Sequence, residues 1–245
     1  MPPAPSAGRS PRFATTQWSM IVAARCGPAS EADAALESFC RAYWYPLYAY
    51  VRRSGHAQAD AQDLTQAFFA RLLEKDWLSE ALPERGRFRS FLLMALKRFL
   101  AKEWRRGAAR KRGGGANFVP LDAADAEARY AVEPSLGPDA IFERRWAMTI
   151  LDRALGRLAD EYAAADRTVE FELLKPHLTA ARGEIPYEET GAALGLNPGA
   201  ARVAVHRLRK RFRETLRQEI AETVADAADL EDELRHLVQI LGQRA

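Results

Sequence analysis

The stretch with the clearest chemical character is 198–217, which has helical spacing and carries many cations. Its apolar residues recur at steps of four, three and four, which predicts one buried face of a helix: Ala201, Val205, Leu208 and Phe212. The other faces carry seven arginine and lysine residues against one acidic residue, Glu214. Guanidinium and ammonium groups at this density neutralise phosphate, so the pattern favours a helix that binds nucleic acid. The alternative is a solvated basic helix in a helical bundle.

Two short sequence features would position that helix. Residues 187–194 have helical spacing, and Gly195 can adopt the left-handed conformation that ends a helix. Asn197 then provides a cap for the next helix, and Pro198 falls at its first position, where a missing N–H does no harm. A short helix, a glycine turn and a capped basic helix together predict a helix-turn-helix whose second helix lies on DNA.

The charge of the chain is unevenly distributed. The formal net charge is only +3 over 245 residues. Residues 97–112 nevertheless hold eight lysines and arginines against Glu103 alone, and residues 219–233 hold seven carboxylates with no cation between them. The sequence therefore predicts two basic surfaces and an acidic C-terminal segment.

The composition also excludes several classes of protein. Cys26 and Cys40 lack the paired spacing of a zinc site, so we interpret them as packing residues with free thiols. The four histidines are scattered, and the chain has neither a phosphate-binding glycine loop nor a nucleophile elbow. We expect no catalysis, no cofactor and no metal ion. With no signal peptide and no run of membrane-spanning length, we expect a cytoplasmic protein that does not bind a membrane.

The periodicity along the chain predicts an all-α protein of two small helical domains joined by a flexible linker. Helices are expected at 18–25, 31–53, 58–75, 87–106, 139–158 and 162–178, with Pro46 bending or dividing the second. The predicted division is a disordered tail at 1–12, a first domain at 13–106, a linker at 107–137, the helix-turn-helix domain at 138–217 and an acidic helical extension at 218–245.

Three segments in series resemble the extracytoplasmic-function (ECF) sigma factors of bacterial RNA polymerase. Residues 45–51 and 60–72 look like the polymerase-binding helices of that family, residues 88–106 look like its −10 promoter element, and residues 187–216 look like its −35-binding helix-turn-helix. A single helix-turn-helix is shared by many regulators, whereas the three segments in this order are specific.

The resemblance implies RNA polymerase core and promoter DNA as partners. The first domain would bind the β′ subunit and melt the −10 region, and the second would hold the −35 element and lie on the flap of the β subunit. An anti-sigma factor or another regulator is a further partner that the sequence leaves open. The rival hypothesis is a stand-alone helix-turn-helix regulator that needs no polymerase to bind its operator.

The resemblance also assigns candidate residues to each partner. For the polymerase core they are Asp60, Asp63, Gln66, Phe69 and Arg71, with a solvated helix surface as the alternative. For the −10 DNA they are Arg89, Lys97, Arg98, Lys102, Arg105 and Arg106, with base capture expected from the loop at 79–86. In the recognition helix, the residues expected to contact bases are Arg202, Val203, Ala204 and Arg207. Gly199 and Ala200 are small enough to let the helix approach the DNA closely. Contacts with phosphate are expected from His206, Lys210 and Arg211.

Several features depart from the family pattern, and two of them concern the C-terminal part of the chain. Thr190 and Gly191 stand where more apolar or bulkier residues are usual, which predicts a slightly weakened first helix of the DNA module. The acidic extension continues past the usual end of the family. It either folds back beside the −35 surface and competes with phosphate there, or it completes the hydrophobic core with its carboxylates in solvent.

Overall fold

The computed structural model describes residues 29–74, 87–107, 123–133, 135–181, 183–224 and 226–242. Over these residues the chain is helical and has no strand, which confirms the all-α prediction. The predicted tail at 1–12, the predicted helix at 18–25 and the loop at 79–86 lie outside the described residues.

Nine helices follow one another in the described part of the chain. They are α1 (Ala29–Arg53), α2 (Gln58–Glu74), α3 (Phe88–Gly107), α4 (Ala123–Ala131), α5 (Pro138–Ala164), α6 (Thr168–Leu174), α7 (Tyr187–Leu194), α8 (Pro198–Ala221) and α9 (Leu230–Gly242). A turn of 3₁₀ helix follows α6 at Lys175–Leu178, and another precedes α9 at Ala227–Asp229.

Two helices are longer than their sequence patterns predicted. Helix α1 continues through Pro46 without being divided. The predicted break between 158 and 162 is wrong, because α5 runs without interruption to Ala164. The apolar spacing continues past that point, with Leu155, Leu158 and Tyr162 all packed on the same core. The chain turns only afterwards, at Asp166, whose φ is 59°.

The larger of two hydrophobic cores combines helices from both halves of the chain. Helices α1, α2 and α3 contribute a dense group of aromatic rings, namely Phe39, Tyr43, Phe68, Phe69, Phe88 and Phe99. Helix α5 adds Phe142, Trp146 and Ile150, and Ile220 and Leu237 come from α8 and α9. Cys40 is buried in this core with a free thiol whose pKa burial raises to about 12, as expected for a packing residue.

The smaller core supports the helix-turn-helix. It consists of Leu158 from α5, Phe171 and Leu174 from α6, and Val205 and Leu208 from α8. Because α5 contributes to both cores, this 27-residue helix connects the first module to the DNA module.

Ion pairs reinforce the packing of α5 against its neighbours. Glu219 of α8 is fully buried and accepts hydrogen bonds from Arg153 at 2.9 Å and from Arg157 at 2.6 Å. The neighbouring Glu222 also forms an ion pair with Arg157, whose guanidinium nitrogen lies 3.2 Å from its carboxylate oxygen. Burial, and secondarily the charge of Glu219, raise the pKa of Glu222 to about 7.

The range predicted as a linker contains helix α4. The hydroxyl of Tyr48 donates to Glu127 of this helix, and Arg52 pairs with the same carboxylate at 2.6 Å. Residues 123–133 therefore pack on α1 in this structure. The independent folding of the two domains and the flexibility of 108–122, which lies outside the described residues, remain predictions.

We predict that Glu222 makes the stability of the fold depend on pH. A carboxyl group with a raised pKa binds its proton more tightly in the folded state, so its stabilising effect is complete below the ordinary pKa of 4.5 and is lost as the pH rises through about 7. Glu222→Gln should reduce the loss of stability between pH 5 and pH 8 by at most about 3 kcal/mol. Thermal unfolding across this range measures the effect. Glu172→Gln, at an exposed site, is the control, and equal pH dependence of the two variants would contradict the prediction.

Candidate nucleic-acid interface

The turn between α7 and α8 has the predicted helix-turn-helix geometry. Gly195 ends α7 in the left-handed conformation, with φ of 67°. The N–H of Leu196 donates to the carbonyl oxygen of Gly191 at 2.8 Å. The Asn197 side chain accepts from the N–H of Ala200 at 2.8 Å, and Pro198 is the first residue of α8. The predicted cap, turn and helix start are confirmed.

Gly191 fits this turn because it has no side chain. A Cβ atom placed there would lie 2.7 Å from the backbone oxygen of Leu196, closer than such atoms approach in proteins. The close approach of the chain after the turn requires glycine at this position, and the expected slight weakening of α7 stays a prediction.

Thr190 is likewise part of the module's internal structure. Its hydroxyl lies 2.7 Å from Nε2 of the buried His177, whose ring stacks parallel on Tyr187. Burial, and secondarily the charge of Arg209, lower the pKa of His177, so the ring is uncharged near neutral pH. Arg209 donates two hydrogen bonds to the backbone oxygen of His177, at 3.0 and 2.7 Å, which fixes α8 against the segment before α7.

The recognition helix α8 has a buried face and an exposed basic face, as predicted. Ala201, Val205 and Leu208 are buried. The exposed residues near its start are Gly199, Arg202, Val203, His206, Arg207 and Lys210, with Ala200 and Ala204 partly buried. Within the described ranges, no carboxylate lies at ion-pair distance from Arg202 or Arg207.

Arg211 differs from these two arginines because it already has a partner. Its guanidinium makes two hydrogen bonds to Glu161 of α5, at 2.7 and 2.6 Å. Its predicted contact with phosphate would require the phosphate to replace this carboxylate.

The candidate −10 residues of α3 fall into two groups. Arg98, Lys102 and Arg105 are exposed, whereas the side chain of Arg106 is not described. Lys97 is also exposed, but it forms an ion pair with Asp139 of α5 at 2.8 Å.

Arg89 is not accessible to DNA in this structure. Only 4% of its side chain is exposed, and its guanidinium pairs with Glu233 of α9 at 2.6 Å and with Glu143 of α5. Its role as a −10 contact stays a prediction, and in this conformation two carboxylates hold the guanidinium away from DNA. The sequence could not reveal the acidic partners, because they lie 54 and 144 residues away along the chain.

A pocket beside the exposed cations of α3 was not predicted. It has a volume of about 500 Å³ and is open to solvent. Trp104, whose side chain is 76% exposed, forms one wall, and Tyr50, Ser54, His56, Lys97 and Arg105 also line it. An exposed indole between cations suits stacking of an unpaired base. Trp104 was the sequence signal for this site, because α1 and the turn that follows it meet α3 only in the folded chain.

The candidate polymerase-binding residues of α2 also differ in how exposed they are. Asp60 and Asp63 are exposed, while Gln66 and Arg71 are partly buried. Phe69 is 1% exposed and packs against Phe39 and Phe68. Its contact with a partner stays a prediction, and in this structure the ring belongs to the larger core.

The position of the acidic extension decides between its two predicted arrangements. Helix α9 packs on α5, on the end of α8 and on the larger core. Among the described residues of its neighbours, its cationic partners are Arg87, just before α3, Arg89 of α3 and Arg217 of α8. The prediction that it lies beside Arg202 and Arg207 is wrong, and completion of the core is confirmed. Glu233 is, however, buried in that core and not in solvent.

Comparison with known protein families identifies the class of the chain. The model of the family described as ECF sigma factor matches residues 47–218, which span α1 to α8. The chain belongs to the ECF sigma factors, the initiation factors that bind RNA polymerase and direct it to specific promoters. RNA polymerase core and promoter DNA are thus its partners, and the family is not a class of enzymes. No curated protein and no solved structure matches the chain.

In the described part of the chain, no helix is both long and apolar enough to cross a membrane. The same residues contain no group of three or more His, Cys, Asp or Glu side chains that could hold a metal ion.

We predict that Gly191→Ala disrupts the helix-turn-helix. The added methyl group would press on the Leu196 backbone oxygen, and such overpacking costs about 1–3 kcal/mol. Thermal unfolding and binding to promoter DNA should both weaken. Ala192→Ser, at the next and exposed position of α7, is the control and should change neither. Wild-type unfolding and binding of the Gly191 variant would show that the turn tolerates a side chain.

Proposed function

We propose that the start of α8 reads the −35 promoter element. The observation that carries this proposal is the exposure of Arg202 and Arg207 in the first turns of a capped helix, without a carboxylate partner in the described residues. Arg209 and Arg211 make internal contacts. Arginine side chains that are exposed at the start of a recognition helix can reach the base edges of the major groove.

The face of α3 that carries Arg98, Lys102 and Arg105 binds the −10 element in this proposal. Its cations neutralise phosphates of the melted strand, and Trp104 at the adjacent pocket stacks on an unpaired base. Arg106 belongs to the same basic segment of the sequence and is retained as a candidate.

The polymerase contacts are assigned to both modules. Asp60 and Asp63 are exposed carboxylates one helical turn apart on α2, and they bind a basic surface of the β′ subunit. The helix-turn-helix module lies on the β subunit. Control by an anti-sigma factor is compatible with this assignment.

Formation of a holoenzyme tests the proposal and its rival. The protein should co-purify with RNA polymerase core and support initiation from a promoter selected by the reconstituted holoenzyme. Asp63→Lys should reduce core binding about tenfold or more, because it reverses a charge on the proposed contact surface. Asp125→Lys, an equally exposed charge reversal on α4, is the control. Tight operator binding without any holoenzyme would instead support the stand-alone regulator.

Substitutions in α8 test the reading of the −35 element. Arg202→Ala or Arg207→Ala should each cost about 1–3 kcal/mol on the cognate element and relax the base preference. Lys210→Ala, which removes an exposed charge further along the helix, should weaken all sequences alike and flatten the salt dependence. Binding of the holoenzyme to a panel of −35 variants at several salt concentrations distinguishes these effects. Equal losses on every sequence would make both arginines phosphate contacts.

A further inference from the structure

An exposed valine interrupts the basic face at the start of the recognition helix. Val203 is 48% exposed, although it lies among cations and not in a core. A step of two residues turns about 200° around a helix, and Val203 stands two residues from both Ala201 and Val205, which are buried. Its side chain therefore points away from the smaller core, along the middle of the face that the proposed function places on DNA.

The neighbours of Val203 on this face leave it accessible to a partner. Gly199 lies one turn earlier on the same side of α8, is exposed and has no side chain that would hold a partner away. Arg202 and Arg207 lie on either side of the valine, about 100° in one direction and about 40° in the other. Because these long side chains leave the helix at the flanks, the middle of the face carries only a short apolar group.

The surface of the major groove offers one apolar group that a valine can contact. Phosphate oxygens and the other groups on the base edges are polar, and an apolar side chain that covers them removes their water without supplying a hydrogen bond. The exception is the C5 methyl group of thymine, which small apolar side chains contact when a helix enters the groove. Contact between the valine and this methyl group buries apolar surface of both partners, which is favourable.

We propose that Val203 reads a thymine of the −35 element through its 5-methyl group. The contact favours a pair that carries this methyl group over one that lacks it, while Arg202 and Arg207 hydrogen-bond to nearby base edges. This inference rests on the proposed function, because it requires the start of α8 to lie in the major groove of the −35 element. It adds a statement about the DNA: the element contains a thymine close to the base pairs that the two arginines contact.

Val238 of α9 provides a matched control for substitutions of Val203. It is also an exposed valine on a helix, with 66% of its surface accessible. Helix α9 contacts the last turns of α8, where Arg217 pairs with Glu231. Because Arg217 is about 21 Å along the helix axis from Val203, truncation of Val238 should not affect contacts made by the start of α8.

The test removes methyl groups from each side of the proposed contact. Promoter fragments carry the −35 element that the reconstituted holoenzyme selects, and each thymine of that element is replaced in turn by deoxyuridine, which lacks only the 5-methyl group. The affinity for each fragment is measured with holoenzyme that contains the wild type, Val203→Ala or Val238→Ala. Thermal unfolding of the three free proteins shows whether the substitutions leave the fold intact.

The methyl contact predicts a specific pattern of affinities. The wild-type holoenzyme should lose about fourfold in affinity at one or two of the deoxyuridine positions, because a buried methyl group contributes roughly that factor. Val203→Ala should bind the unmodified element several-fold more weakly and should not respond to deoxyuridine at those positions, because the contact is already lost. Val238→Ala should match the wild type on every fragment.

Other results overturn the proposal. Wild-type affinity for every deoxyuridine fragment overturns the methyl contact, and so does a selected element without thymine. Equal losses on deoxyuridine in the wild type and in Val203→Ala also overturn it, because the effect would then belong to the shape or flexibility of the DNA. If the wild-type holoenzyme selects no −35 sequence at all, the proposed function itself fails, whereas a selected element that tolerates deoxyuridine contradicts the contact alone.

Discussion

The burial of α5 along its whole length is the constraint on which the rest of the structure depends. Phe142, Trp146 and Ile150 anchor its first half in the larger core, and Leu158 anchors its second half in the smaller one. Between these anchors Arg153 and Arg157 pair with the buried Glu219 of α8. A carboxylate without these partners would be strongly destabilising at this position, so α5 and α8 must pack in one register. The orientation of the recognition helix follows from that register.

The arginines of the basic surfaces differ in whether a carboxylate of the same chain already binds them. Arg202 and Arg207 protrude from α8 into solvent, whereas Arg89 and Arg211 are held by carboxylates of other helices. The same guanidinium group can bind either a carboxylate or a phosphate, and it forms paired hydrogen bonds with both. The free protein therefore satisfies part of its basic surface internally.

Local features of this protein could be predicted because they depend on neighbouring residues. Gly195, Asn197 and Pro198 define the turn and the helix start through backbone conformation alone. The buried face of α8 followed from the spacing of its apolar residues. Phe69 shows what such local patterns do not determine: periodicity indicates that a ring faces other residues, and it does not say whether they belong to the same chain or to a partner.

The sequence by itself thus determined the all-α class, the helix-turn-helix with its exposed arginines and, through three motifs in series, the family. Tertiary structure alone decided that Glu233 meets Arg89 and that one core draws residues from both halves of the chain. It also decided that Gly191 must lack a side chain, although the residues concerned are close in sequence. The ion pair, the shared core and the close contact at Gly191 have the same physical cause. Pairing of buried charges and close packing depend on which surfaces meet when the chain folds, and neither composition nor periodicity records that.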